Sequence, residues 1–172
     1  MRSVLQTLEA AIAWAVGVAF AAACAAMLAI MVIGTADVIG SFLLRSPLPA
    51  ALELQEVLLG ILIFLGLGQA QKLREHIDVD IVTTKLGPSL RRRFELLVLV
   101  VGVLSFAVIA WRAWVLAMAS WKVGETANAI LTFPIYPAKF LVAFGAAVAA
   151  LECIRQIGRW FVRSNAEQNG KG

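Results

Sequence analysis

Glu53 and Glu56 stand three residues apart in an otherwise apolar segment, so on a helix their carboxylates share one face. Arg112 is the cation that a second apolar segment could bring to them. Acids inside a membrane can relay protons or ions, and acids facing an arginine form an interhelical clamp. One Arg, two Glu and no chain of further acids down the apolar segments favour the clamp. His76, the sole histidine, is followed by Asp78 and Asp80 in the run REHIDVD, which has the residue types of a metal site. Such a site needs at least one more ligand, and the alternation places these three unevenly on a helix, so no metal is expected. A lone histidine also excludes a self-contained bis-histidine haem. Cys24 and Cys153 lie in apolar runs without ligand-forming neighbours and are expected to pack as small apolar residues. With no nucleophile and base in one segment and no phosphate-cradling glycine loop, neither catalytic residues nor a cofactor is expected.

The elements that hold these groups follow from composition. Hydrophobic residues make up 61% of the chain and charged ones 15%, far below the soluble average of about 25% charged, and the mean hydropathy is +0.87. This composition specifies an all-α integral membrane protein, one domain over residues 1–172. The net charge of +4 does not point to nucleic acid, because no basic stretch is interleaved with aromatic stacking platforms. A bilayer core about 30 Å thick needs about 20 apolar residues in a helix, and four runs qualify: roughly 10–33, 52–71, 94–116 and 137–155. The uncharged run from Ala10 to Ala36 is far longer than the apolar core of a signal peptide, so it is read as a mature span.

Gly40 to Pro49, Gly87 with Pro88, and Gly124 to Pro137 mark the connections, and Pro137 suits the first turn of the last helix. Between the second and third spans, Ile77, Val79, Val82 and Leu86 form an apolar edge opposed by Asp78, Asp80, Thr84 and Lys85, which predicts a short cytoplasmic interfacial helix. Eleven Lys and Arg residues fall on the side of the two termini and this loop, and Arg45, Arg112, Lys122 and Lys139 on the other. The positive-inside rule then puts both termini, with the polar tail 164–172, in the cytoplasm. Trp111, Trp114, Trp121 and Tyr136 gather towards the outer interface. In the first span Ala13, Gly17, Ala21, Ala25 and Ala29 recur every fourth position as a small-residue track for a packed helix, and the Ala143, Ala147 and Gly145, Ala149 pairs do the same in the last.

Depth can be counted from the charges. Fifteen uncharged residues separate Glu56 from Lys72, about 22 Å of helix, and sixteen separate Glu95 from Arg112, about 24 Å. Glu56 and Arg112 are therefore expected at nearly equal depth near the outer boundary, with Arg112 turned to Glu56 or Glu53 rather than to lipid.

Two motifs then become recognisable. The stretch ALELQEVLLGILIFLGLGQAQKLREHIDVD has an acidic helix start, a Phe-x-Gly centre and a His-Ile-x-Val-Asp exit, and GETANAILTFPIYPAKFLVAFG has Gly-x-x-Thr, Pro-aromatic-Pro and a Gly entry to the last span. On these the chain resembles the small membrane subunit of the tripartite ATP-independent periplasmic (TRAP) transporters, the C4-dicarboxylate type, over most of its length. The correspondence covers Glu53; Phe64 and Gly66; His76, Ile77, Val79 and Asp80; and Gly124, Thr126, Pro134 and Pro137. It departs at Pro49, Ala50 and Ala51, where many members carry Trp. The resemblance implies sodium-driven uptake of an organic acid, with the small subunit in the bacterial inner membrane. Its partners would be a large permease subunit, a periplasmic binding protein that docks transiently, and membrane lipid. A membrane anchor for a redox or signalling complex, and a small self-sufficient multidrug-type exporter, are the alternatives.

Overall fold

The computed structural model describes residues 2–46, 48–73, 88–126 and 133–169. Among them the chain forms α1 (Arg2–Leu43), α2 (Ala51–Leu73), α3 (Pro88–Val123) and α4 (Tyr136–Asn169). Each contains a stretch long and apolar enough to cross a membrane. In hydrocarbon every backbone N–H and C=O must be satisfied within the segment, and the helix does this without a partner. The 23 residues of α2 make about 34 Å, close to the thickness of a bilayer core. The other three have 42, 36 and 34 residues and overshoot it. The helices thus enclose the expected spans and extend past them. The expected interfacial helix, and with it His76, Asp78 and Asp80, lies outside the described residues.

Glycines sit where the chain turns. After α1 the Gly40 carbonyl accepts from the N–H groups of Leu44 and Ser46, both at 3.1 Å, and a Cβ on Gly40 would come within 2.9 Å of the Ser46 carbonyl oxygen. Asp37 Oδ1 then accepts the Leu48 N–H at 2.8 Å, which ties the connection back to the helix. Gly124, at φ +61°, ends α3. Its N–H donates to the Trp121 carbonyl and that of Glu125 to the Ser120 carbonyl, the paired bonds of a Schellman cap. Thr126 and Pro134 bridge the stems of the last connection, and Pro137 falls in the first turn of α4, as expected.

The helices pack in the order α1, α2, α4, α3, with α1 also leaning on α4, so that α3 meets the rest of the chain almost wholly through α4. Helices α1 and α2 are antiparallel, with Val16 near Gly68 and Gly34 near Gln55, while α2 and α4 run parallel, with Gly60 near Val142 and Gly68 near Val148. Close approach depends on small side chains, the usual basis of helix association in lipid. A Cβ on Gly145 would overlap the Phe64 carbonyl, so the α4 backbone lies directly against that of α2. Ala143, Ala146, Val148, Ala149 and Ala150 are buried along α4, facing a core that includes Val16, Ala19, Ala23 and Leu65. Large apolar side chains such as Phe42, Leu97, Val108 and Leu151 point outward, as they do where lipid is the solvent.

Candidate functional site

Polar groups collect at two levels of the helix row. At the end that carries the chain termini, Glu152 is fully buried. It pairs with Arg155 one turn on, the guanidinium donating through Nε at 2.8 Å and Nη2 at 2.5 Å to the two carboxylate oxygens. Gln156 Nε2 donates to the Gln71 carbonyl at 2.6 Å, and Gln71 Nε2 returns a bond to Gln156 Oε1 at 3.3 Å. A further bond at 3.4 Å links Gln156 to Glu152, so the cluster joins α2 to α4. Arg159 reaches across to Glu9 at 2.9 Å and fastens α1 to the same face of α4. Helix α4 supplies an amide partner to α2 and a charged one to α1 from positions 156 and 159, which with 152 and 155 follow one stripe of a helix. Sequence reasoning stopped the last span at 155 and passed over Glu152; the readable signal was Glu-x-x-Arg-Gln inside an apolar run, with Gln71 at the matching end of α2.

At the opposite end, Lys139 Nζ donates to Glu125 Oε2 at 2.6 Å and to Ser120 Oγ at 2.7 Å, and Ser120 Oγ donates to the same carboxylate oxygen at 2.5 Å. The Lys139 and Ser120 bonds hold the Glu125 carboxyl below the usual carboxylate range. Beside this cluster the aromatic residues form one groove of about 870 Å³ between α3 and α4, lined by Trp111, Trp114, Trp121, Tyr136 and Phe140 among others. Trp121 meets Tyr136 edge to face at 5.3 Å and Phe140 at 5.8 Å, and Trp114 meets Phe140 at 5.4 Å. Edge-to-face pairing of this kind gives the quadrupoles favourable contacts and fixes the top of α3 on α4.

The expected clamp does not form within the chain. Among the described residues no ion pair joins Arg112 to Glu53 or Glu56. Arg112 is exposed and lies in a groove with Phe64 and Val142, and Phe64 is eight residues past Glu56 on α2, about 12 Å deeper. The depth count treated Lys72 and Glu95 as one boundary. Gly102 of α3 packs on Cys153, whereas Gln71 reaches Gln156, so Glu95, two turns before Gly102, lies roughly a turn beyond the level of Gln71. Glu53 and Glu56 occupy the start of α2, half-buried and exposed respectively, and Glu53 in the first turn is favoured there by the helix dipole.

The small-residue track of α1, expected against a packed helix inside this chain or another, faces mostly outward, with Ala29 half-buried. Gly17, Ala21 and Ala25 are exposed and Ala13 half-buried, and a Cβ on Gly17 would meet nothing within 4 Å. The buried face runs through Val16, Ala19, Ala23 and Ala26 instead. Alanine is so frequent in α1 that several faces carry a four-residue repeat, and periodicity alone does not choose among them. Gly66 meets nothing within 4 Å either, while its neighbours Leu65 and Gly68 are buried. Of the cysteines, Cys153 is buried and Cys24 exposed, so only the former packs as expected.

Residues 30–163 match the family model for the tripartite ATP-independent periplasmic transporters, DctQ component. The chain belongs to the DctQ family. No curated protein matches it. DctQ is the small permease component of a TRAP transporter, a class of transporter parts rather than of enzymes. The four membrane-crossing helices and the family together describe a multi-pass inner-membrane protein. The DctQ match covers α2 and α3, most of α4 and the end of α1. It therefore includes the Glu152 cluster, Arg112 and the Ser120, Glu125 and Lys139 triad; Glu9 of the Arg159 pair lies before it.

Proposed function

We propose that this chain is a bracing subunit. It holds the fixed part of the large permease in the membrane and offers surface to the periplasmic binding protein, while the large subunit carries an organic acid inward with sodium. One observation carries this reading: the most buried polar side chains of the terminal end are used up within the fold, Glu152 held by Arg155 and Gln156, and Gln156 joined to Gln71 of α2. Transport sites are built differently, from broken helices and polar groups that converge on a cavity near the midplane. The basic excess at the terminal end supports a cytoplasmic location for both termini. The triad and aromatic groove would then face the periplasmic side. Glu53 and Glu56, at that same end, are offered as partner contacts, as are His76, Asp78 and Asp80 at the cytoplasmic end. The outward track of Ala13, Gly17, Ala21 and Ala25 suits close approach of a neighbouring helix.

The test is reconstitution. Proteoliposomes holding this chain and the large permease subunit, supplied with binding protein and an inward sodium gradient, should accumulate the organic acid. Omitting this chain should abolish uptake. Uptake by the large subunit without it, or transport by this chain alone, would overturn the bracing role.

A further inference from the structure

Arg112 occupies a groove of about 340 Å³ between α2 and α3, walled by Phe64, Ile109 and Leu116 and floored by Val142 of α4. The groove exists because α2 and α3 both pack on α4 and scarcely on each other. Phe64 lies near the middle of α2, whose length matches the bilayer core, so the Arg112 side chain opens near the bilayer midplane. It is exposed, and among the described residues it makes no hydrogen bond or ion pair. A guanidinium left so in hydrocarbon is strongly unfavourable, and such groups are found facing a protein partner.

Depth selects the partner. Eleven residues, about 16 Å of helix, separate Arg112 from the nearer end of α3 at Val123. Helical side chains lean towards the N-terminus, here away from that end. A lipid phosphate at the interface is therefore poorly placed to meet it, whereas a side chain carried by another membrane helix can be at the same depth. The acceptor must be anionic and able to take two parallel N–H bonds, which describes a carboxylate. The lining side chains Val108, Ile109 and Leu116 are exposed and apolar, the surface a helix would cover.

We propose that the groove between α2 and α3 receives a transmembrane helix of the large permease subunit, and that Arg112 pairs there with an Asp or Glu on that helix. This rests on the reading of the chain as companion to a large subunit. The experiment co-expresses the two subunits, captures this chain by a tag in mild detergent, and measures the large subunit recovered. Arg112→Leu should lower recovery at least 10-fold, Arg112→Lys should lower it less, and Lys122→Gln at the helix end should leave it unchanged. Circular dichroism of each captured chain should match wild type, which separates lost docking from lost folding. In a Cys24→Ala background, Leu116→Cys should cross-link to the large subunit through a thiol-reactive cross-linker. Replacing one particular acid in the large subunit's spans by Leu should reproduce the loss, and exchanging the two charges should restore recovery. Full recovery with Arg112→Leu overturns the proposal while leaving the companion reading intact. If that variant instead keeps the large subunit but loses a bound phospholipid in native mass spectrometry, a lipid fills the groove and the proposal fails. No recovery even with the wild-type chain overturns both.

Discussion

Glu152 shows how one residue's position changes the meaning of its neighbours. A carboxylate buried in the helix row is tolerable because Arg155 takes both its oxygens and is itself almost wholly covered, its side chain 7% exposed. Breaking such a pair leaves a charge stranded, while removing both partners leaves no charge at all. Glu152→Leu should destabilise the chain by about 3–5 kcal/mol, and Glu152→Leu with Arg155→Leu should recover most of that loss. Thermal unfolding in detergent, with all three chains compared, checks it. The second cluster gives a pH dependence. Folding lowers the Glu125 pKa through Lys139 and Ser120, so its contribution is present above the ordinary carboxylate range and is lost as pH falls through the lowered value. Between about pH 5 and pH 3 the melting temperature of wild type should fall more steeply than that of Glu125→Gln. Equal slopes would show that the triad adds nothing to folding. Neither cluster follows from the sequence pattern: Arg155 falls among the eleven basic residues of the terminal side and Lys139 among the four of the other, and the pattern assigns a partner to neither. A hydrophobicity profile records that a charge is present, not which neighbour satisfies it.

At the scale of elements, the number, kind and approximate position of the helices were legible, because the bilayer permits so few solutions: about 20 apolar residues, all backbone groups satisfied within the segment. The pairing of helices was not. Small residues mark the true contact between α2 and α4, where Gly145 and Ala149 lie buried as the fourth-position pattern suggested. They equally mark the outward face of α1. What separates the two is shape at the contact, and Gly145 is the sharpest case. Its missing side chain lets α4 lie on the Phe64 carbonyl, and backbone, unlike a flexible side chain, does not move aside. Gly145→Leu should therefore destabilise the chain by about 1–3 kcal/mol or more, as overpacking does. Gly17→Leu, facing open space, should change stability by no more than about 0.5 kcal/mol. Denaturation of the two variants side by side in detergent distinguishes a contact glycine from an outward one.

For the molecule as a whole, the arrangement is an open row rather than a closed bundle, and this explains why the clamp drawn between Arg112 and the α2 acids does not form. Two helices that both rest on a third need not touch, and their charges need not share a level. The charge asymmetry acts at this scale as well, since it concerns the ends of the row rather than any contact. An alkaline phosphatase fusion after residue 169 should be inactive and one at residue 47 active, because the enzyme requires export and the basic terminal end is retained. The reverse pattern would invert the whole molecule. The order of packing bears also on how the chain is made. Helices emerge from the ribosome first to last, and those inserted early can wait in the bilayer as independent units before they associate. Helices α1 and α2 can join as soon as both are inserted, but α3 has its dock on α4, the last of these four to be synthesised. A chain interrupted before Tyr136 would hold a paired hairpin and a solitary third helix, and it is the fourth span that turns these separate insertions into one packed unit.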